Sequence, residues 1–256
     1  MNSTNIKDKI KIDNLMLLHG KPILIPETPI SVFPIKLKEI SAIGTYVFFD
    51  YLSFATIDIG NLPIDFLKEE NSFTDIERTL LYLIMVSKND IKFKRKFCDS
   101  VAFFTKEKFL YNTDESYFYF LIEEKEIIMN IHVLEAFQYI VKRQNFLIHP
   151  EREFKPANKK AAEIIEKRLK GRKKVEDIKN RDGDTPAFDD LVASVAAKGN
   201  GLNLFNIWNL NYYAFNDQLQ RLRMIEDYDI GIKSLMAGAD SKKVKLKYWI
   251  RSIQSE

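Results

Sequence analysis

A chain of 256 residues, 46% of them hydrophobic, has enough apolar side chain to bury at least one core and is long enough for one or two domains. Its single cysteine, Cys98, excludes a disulfide framework within one chain, and its longest apolar run, seven residues over 80–86, falls far short of the roughly 20 that cross a bilayer. The formal charge of +3 is uneven, because residues 159–181 carry ten basic against four acidic side chains, leaving this segment at +6 and the rest at −3.

The first 14 residues are polar, with no basic head followed by an apolar run, so a secretory leader is not expected. Five of the eight prolines, at 22, 26, 29, 34 and 63, confine the opening region to short extended pieces joined by turns. Residues 15–18 and 23–25, with Gly20, Lys21 and Pro22 between them, read as a hairpin or as edge strands, and 32–35 as a further extended piece. Over 35–54, Leu37, Ile40, Ile43, Val47, Tyr51 and Phe54 recur at helical spacing, interrupted at Gly44.

Thr74 and Glu77 form the Ser/Thr-x-x-Glu start signal of a helix that runs to about Lys88. Leu80, Leu81, Leu83, Ile84, Met85 and Val86 lie on nearly every side of it, which predicts a central helix or one sharing an interface with a second copy. Aromatic and polar residues alternate over 93–129 and suit two β-hairpins, the second turning at 123–126. Asn130 then caps a helix over 131–145 whose inward side is Val133, Leu134, Phe137, Ile140 and Val141.

After His149 and Pro150 the chain becomes charged, then basic, then turn-like at 180–186. The expected organisation is an α+β domain over 1–150, a basic helical connector over 151–186 and a small helical domain over 187–256. Lys and Glu at i, i+4 favour the connector helix, which Gly171 weakens. Pro186 suits the first helical position of a helix over 188–197 that Gly199 and Gly201 end. An aromatic helix follows, then a second from about Tyr228 to Ala237 ended by Gly238. Residues 243–250 alternate like a strand but follow an Asp240-Ser241 cap that suits a helix equally. The fold class is α+β: a mixed N-terminal domain of short strands and three helices, the basic connector, and a small all-helical C-terminal domain.

Candidate functional residues concentrate at 202–223, where large aromatic and aliphatic side chains are interleaved with five asparagines and no catalytic group. Tyr212, Phe215, Leu219 and Leu222 share one helical face, with Asn216, Asp217, Gln220, Arg221 and Arg223 opposite. Phe205, Trp208, Tyr212, Tyr213, Phe215 and Leu219 are therefore the candidate protein-binding residues, since aromatic side chains dominate binding hot spots, although an apolar stripe is more commonly core. Lys167, Arg168, Arg172, Lys173 and Lys174 form a basic arm able to touch the phosphates of a nucleic acid, but no aromatic residue accompanies them for base stacking, and a solvated helix face is the favoured account of them.

Little in the chain suggests chemistry. His19, His132 and His149 lie in three separate segments with no nucleophile motif beside them, and Cys98 is most simply a buried cysteine. Asp182, Asp184, Asp189 and Asp190 suit a turn and a helix cap better than a cation loop, and no glycine-rich phosphate loop occurs. No catalysis, metal or cofactor is expected.

The segments at 154–179 (FKPANKKAAEIIEKRLKGRKKVEDIK), 188–198 (FDDLVASVAAK), 202–222 (LNLFNIWNLNYYAFNDQLQRL) and 234–250 (SLMAGADSKKVKLKYWI) resemble, in pattern and order, tail-assembly proteins of tailed phages of Gram-positive bacteria. Residues 17–23 (LLHGKPI) and 33–44 (FPIKLKEISAIG) look like the opening of the same proteins. The resemblance implies a morphogenesis role in the host cytoplasm, as a tail assembly chaperone binding tape-measure or tail-tube proteins, with self-association possible. A structural subunit of the virion tail or baseplate is the alternative it leaves open. It carries no active site.

Overall fold

The computed structural model describes residues 10–58, 73–147, 186–240, 244 and 246–250. The chain divides into two compact units, Met1–Leu147 with Trp208–Ala214, and Ile148–Ile207 with Phe215–Glu256. The first mixes strands and helices and the second is helical, so the fold class is α+β. The basic connector lies outside the described residues.

The N-terminal unit opens with α1 (Asn14–His19). The strand expected at 15–18 is corrected to a helix for local reasons: the Asp13 carboxylate accepts the Leu15 N–H, and Gly20, at φ 76°, closes the other end in the left-handed conformation. β1 (Ile23–Leu24) pairs instead with β2 (Ser31–Val32) in antiparallel register, Ile23 facing Val32. Between them Thr28 Oγ1 donates to the Ile25 carbonyl and accepts the Ile30 N–H. The stripe over 35–54 resolves into α2 (Leu37–Ile43) and α3 (Thr45–Ala55), with Gly44 between them.

α4 (Asp75–Asn89) begins at the Thr74–Glu77 pair, in which Glu77 Oε2 accepts the Thr74 N–H at 2.6 Å and the Glu77 N–H points back to Thr74 Oγ1 at 3.4 Å. Of the two positions expected for this helix, a central one is corrected, since Leu83 is buried while Leu81 and Met85 are exposed. The hairpin expected from residue 93 is also corrected. Residues Ile91–Thr105 form α5, because Asp90 caps the N–H groups of Lys92 and Phe93 at 2.8 and 3.0 Å, and Phe97, Val101 and Phe104 repeat at helical steps.

A three-stranded antiparallel meander follows: β3 (Lys108–Asn112), β4 (Tyr117–Ile122) and β5 (Lys125–Ile128), with β4 in the middle. Its second turn places Glu123 and Glu124 at φ 47° and 65°, the geometry of a tight hairpin. α6 (Ile131–Gln144) starts at Asn130, whose Oδ1 accepts the Val133 N–H at 3.0 Å, and the inward residues read from the sequence are all buried, together with Ala136, Gln138, Arg143 and Gln144. This unit thus holds six helices among the described residues, where three were expected.

The core sits where α5 packs on α3, α4 and β3. Phe97 meets Phe118 edge-on at 5.0 Å and Phe109 at 5.9 Å, and Phe109 stacks on Phe118 at 5.6 Å. These rings are buried, and offset or edge-on aromatic pairs add to the stabilisation from area burial.

Residues Trp208–Ala214 complete this unit. The Leu37 N–H donates to the Leu210 carbonyl at 2.9 Å and the Tyr212 N–H to the Ile35 carbonyl at 2.8 Å, bracketing an antiparallel bridge between Lys36 and Asn211. The Tyr212 ring lies 5.2 Å from Phe48 and the Tyr213 ring 5.1 Å from Phe146. Asn211 is buried and serves two helices. Its Nδ2 donates to the Leu17 and Leu18 carbonyls at the end of α1, at 3.1 and 3.3 Å, while its Oδ1 accepts the Ala214 N–H at 2.8 Å. A Cβ on Gly20 would lie 2.7 Å from Asn211 Nδ2, so position 20 requires glycine for space as well as for its backbone angle.

The C-terminal unit contains α7 (Phe188–Lys198), a 3-10 turn begins at its end (Ile207–Asn209), and α8 (Tyr212–Met236) runs on from the first unit into the second. Pro186 is not the first helical residue. Ala187 is the N-cap, its N–H held by Asp190 Oδ2 at 3.1 Å. The separate helix expected from Tyr228 is corrected as well: α8 is continuous, since residues 224–230 contain neither glycine nor proline to break it. The described residues of 243–250 form neither strand nor helix. They fold back on α8, Tyr248 meeting Tyr228 edge-on at 5.6 Å and Leu246 covering Gly231 so closely that a Cβ there would lie 2.8 Å from Leu246 Cδ1.

Candidate docking surface

The loop after α7 contains a small hydrogen-bonded frame. Asn203 Oδ1 accepts the N–H groups of Phe205 and Asn206 at 2.9 and 3.2 Å, and Asn206 Oδ1 accepts the Asn203 N–H at 2.8 Å. Asn206 Nδ2 also ties the frame to the Gly201 carbonyl at 2.8 Å. Asparagine suits this work because its amide both donates and accepts next to its own backbone. The frame anchors Ile207 in the interior and leaves Phe205 on the outside, 94% exposed. Because the backbone at Phe205 is already fixed, binding through this ring would have to order only its two side-chain torsions.

In the same unit a groove of about 210 Å³ runs between α7 and α8. Leu191, Val195, Leu219 and Leu222 line its apolar part, and Lys198, Arg223 and Glu226 its rim. Lys198 and Glu226 form an ion pair across that rim. On the neighbouring turns Asp217, although placed on the polar face by periodicity, is buried, where Arg221 Nε neutralises it at 2.9 Å.

The six candidate protein-binding residues do not make one face. Trp208, Tyr212 and Tyr213 belong to the N-terminal unit, where Tyr213 is 5% exposed, and Phe205, Phe215 and Leu219 to the C-terminal unit. Phe215 is 1% exposed and meets Phe188 edge-on at 5.6 Å, so Tyr213 and Phe215 are core residues rather than surface anchors. Trp208 and Tyr212 are half-buried. Leu219 lines the groove and Phe205 stands out from the surface. Lys167, Arg168, Arg172, Lys173 and Lys174 of the basic arm lie outside the described residues.

The reactive groups are dispersed. His19 and His132 are exposed and His149, Asp182 and Asp184 lie outside the described residues. Among the described residues no three of His, Cys, Asp and Glu converge as they would around a metal ion. Burial, reinforced by the neighbouring Asp99 charge, pushes the Cys98 thiol up to about 12, which keeps it protonated and a poor nucleophile at neutral pH. No described helix is long and apolar enough to cross a membrane.

Sequence reasoning missed the Asn203–Asn206 frame, whose signal is an i, i+3 pair of asparagines that mimics a capping box. It also missed Arg143, which is 2% exposed in the N-terminal unit. Its Nη2 donates to the neutral Asn14 Oδ1 at 3.1 Å, while Nε and Nη1 are buried with no hydrogen-bond partner among the described residues.

A family model described as YomV second domain matches residues 178–254, less than a third of the chain but covering α7, the asparagine frame and α8. No curated protein matches the chain. No solved structure matches it.

Proposed function

We propose that the chain is a non-enzymatic docking protein of phage tail morphogenesis, an assembly chaperone that holds tape-measure or tail-tube proteins through its C-terminal unit. The observation that carries the docking part is Phe205, 94% exposed on a loop that four hydrogen bonds of Asn203 and Asn206 hold in place. Aromatic side chains are prominent among binding hot spots, and a backbone ordered in advance lowers the cost of using one. The apolar groove lined by Leu219 and Leu222 supports the same reading, since it offers a second apolar element in the same unit. The phage assignment rests on the resemblance of the segments at 154–179, 188–198, 202–222 and 234–250.

Capture of the tagged protein from phage-infected cells, set beside mass spectrometry of purified particles, tests this. Recovery of tape-measure or tube proteins with absence from particles is the expected result. Stoichiometric presence in particles replaces the chaperone with a tail or baseplate subunit, and failure to recover any phage protein removes the reading and directs attention to phosphate binding by the basic arm.

A further inference from the structure

We propose that α8 carries a docking site for an extended, lysine-rich segment with apolar residues at alternate positions. In the resting protein the chain's own residues 244–250 cover it, and a partner segment of the same chemistry enters by displacing them. The site involves neither Phe205 nor the α7–α8 groove, so it goes beyond the docking reading above.

The seat is at Gly231, the one glycine of α8. Glycine weakens a helix interior, and its use there marks a close approach by another part of the chain. Here that part is the segment after the helix: a Cβ at 231 would lie 2.8 Å from Leu246 Cδ1 and 3.7 Å from Val244 Cγ1. Three residues earlier, on the same side of the helix, Tyr228 meets Tyr248 edge-on at 5.6 Å. Residues 244, 246 and 248 thus all meet α8, so the seat takes an apolar side chain from every second position.

Charge selects the same chemistry. Lys242, Lys243, Lys245 and Lys247 precede or alternate with those apolar residues. Between 224 and 236, α8 holds three acidic residues, Glu226, Asp227 and Asp229, and one basic residue, Lys233. Glu226 is already paired with Lys198, but Asp227 and Asp229, on either side of Tyr228, are exposed with no ion pair among the described residues. A basic segment is attracted to that turn within a screening length of about 10 Å at 0.1 M salt, and an acidic one is repelled.

The cover is light. Leu246 stays 39% exposed, Tyr248 57% and Ile250 60%. Among the described residues no hydrogen bond joins 244–250 to α8. Residues 208–214 differ, since backbone bonds and the Asn211 amide tie them to the N-terminal unit. A cover held by a few side-chain contacts lowers a partner's apparent affinity by the fraction of time the seat is open, roughly tenfold for an opening of one part in ten.

Fluorescence anisotropy on the full chain, with a labelled peptide of residues 240–252 as the probe, tests the proposal. The double variant Leu246→Ser, Tyr248→Ser removes the apolar contacts of the cover and should bind the peptide at least roughly tenfold more tightly than the wild type. Gly231→Leu fills the seat with a good helix former and should abolish binding in either background. A peptide carrying both serines keeps every lysine and should not bind. Raising salt from about 0.1 M to about 1 M should weaken binding of the native peptide, because the screening length falls from roughly 10 to 3 Å. Far-ultraviolet circular dichroism matching the wild type establishes that the variants fold. Absence of binding to the uncovered chain, equal binding to the covered and uncovered chains, binding of the serine peptide, or binding that survives Gly231→Leu each overturns the proposal. These changes leave Phe205 in place, so such a failure would not touch the docking reading.

Discussion

The N-terminal unit turns its aromatic side chains inward: Phe97, Phe109, Phe118 and Phe120 meet in one buried cluster between α5 and the three-stranded sheet. The C-terminal unit buries Phe215 against Phe188 but leaves Phe205 outside and a groove between its two helices. Both use the same aromatic residue types, so composition does not separate core from proposed docking surface. What separates them is the polar scaffolding. Around Phe97 the backbone is regular helix and strand, whereas Phe205 is held out by side-chain amides bonded to a non-repeating backbone.

The largest expected effect lies in the inward-facing unit. Phe97→Ala removes the ring at the centre of the cluster and should cost about 3–5 kcal/mol, read as a fall in the urea midpoint followed by near-ultraviolet circular dichroism. A loss under about 1 kcal/mol would show that the cluster is loosely packed. Asn211→Ala should cost about 2–3 kcal/mol, because it uncaps α8 and strips a donor from two carbonyls of α1 at once. Asn211→Asp retains the acceptor for the Ala214 N–H but loses the donor, so a cost close to that of alanine would assign the effect to α1.

Asn14→Asp should stabilise the same unit by about 1 kcal/mol in thermal melts at neutral pH, since it gives the buried Arg143 guanidinium a counter-charge where it now has a neutral acceptor. The folded pKa of the new carboxylate would be depressed, so the gain is present above the unfolded value of about 3.9 and disappears as pH falls through the folded one. Destabilisation at neutral pH would refute the assignment of Arg143 as an under-compensated charge.

Glu39 has the smaller effect. Burial pushes its carboxyl up, but the hydrogen bond from Lys106, the Lys36 N–H and the charges of both lysines outweigh that and hold it below the ordinary carboxylate range. A depressed carboxylate contributes stability above its unfolded pKa and loses it as pH drops through the folded one. Glu39→Gln should therefore flatten the acid limb of the stability curve while costing under about 1 kcal/mol at neutral pH, the pair being partly exposed. An unchanged acid limb would place the titrating group elsewhere.

How far the chain could be read from its residues follows the range of the interaction. The Thr74–Glu77 box, the Asn130 cap and the turn at Glu123 and Glu124 were readable because each is complete within four residues. Residues 93–105 misled because their aromatic spacing fits a strand until the Asp90 cap is given weight. The double role of Asn211 was not readable, as its partners lie 193 and 194 residues away. Of the apolar side chains that composition and spacing single out at 202–223, Phe205 is exposed and Leu219 lines the groove, while Tyr213 and Phe215 are buried. Periodicity identifies an apolar side chain but not whether its own unit covers it.

Phe205→Ala has the smallest expected effect on stability, under about 0.5 kcal/mol, because the side chain touches so little. Its effect on binding should be the largest of any single change in the C-terminal unit, and this is the most direct test of the account. Tagged wild-type and Phe205→Ala chains, matched in thermal midpoint, would be used to capture proteins from phage-infected cells. A drop of at least tenfold in recovered tail proteins with the variant is the predicted result, and equal recovery by both chains would contradict the assignment of the docking surface.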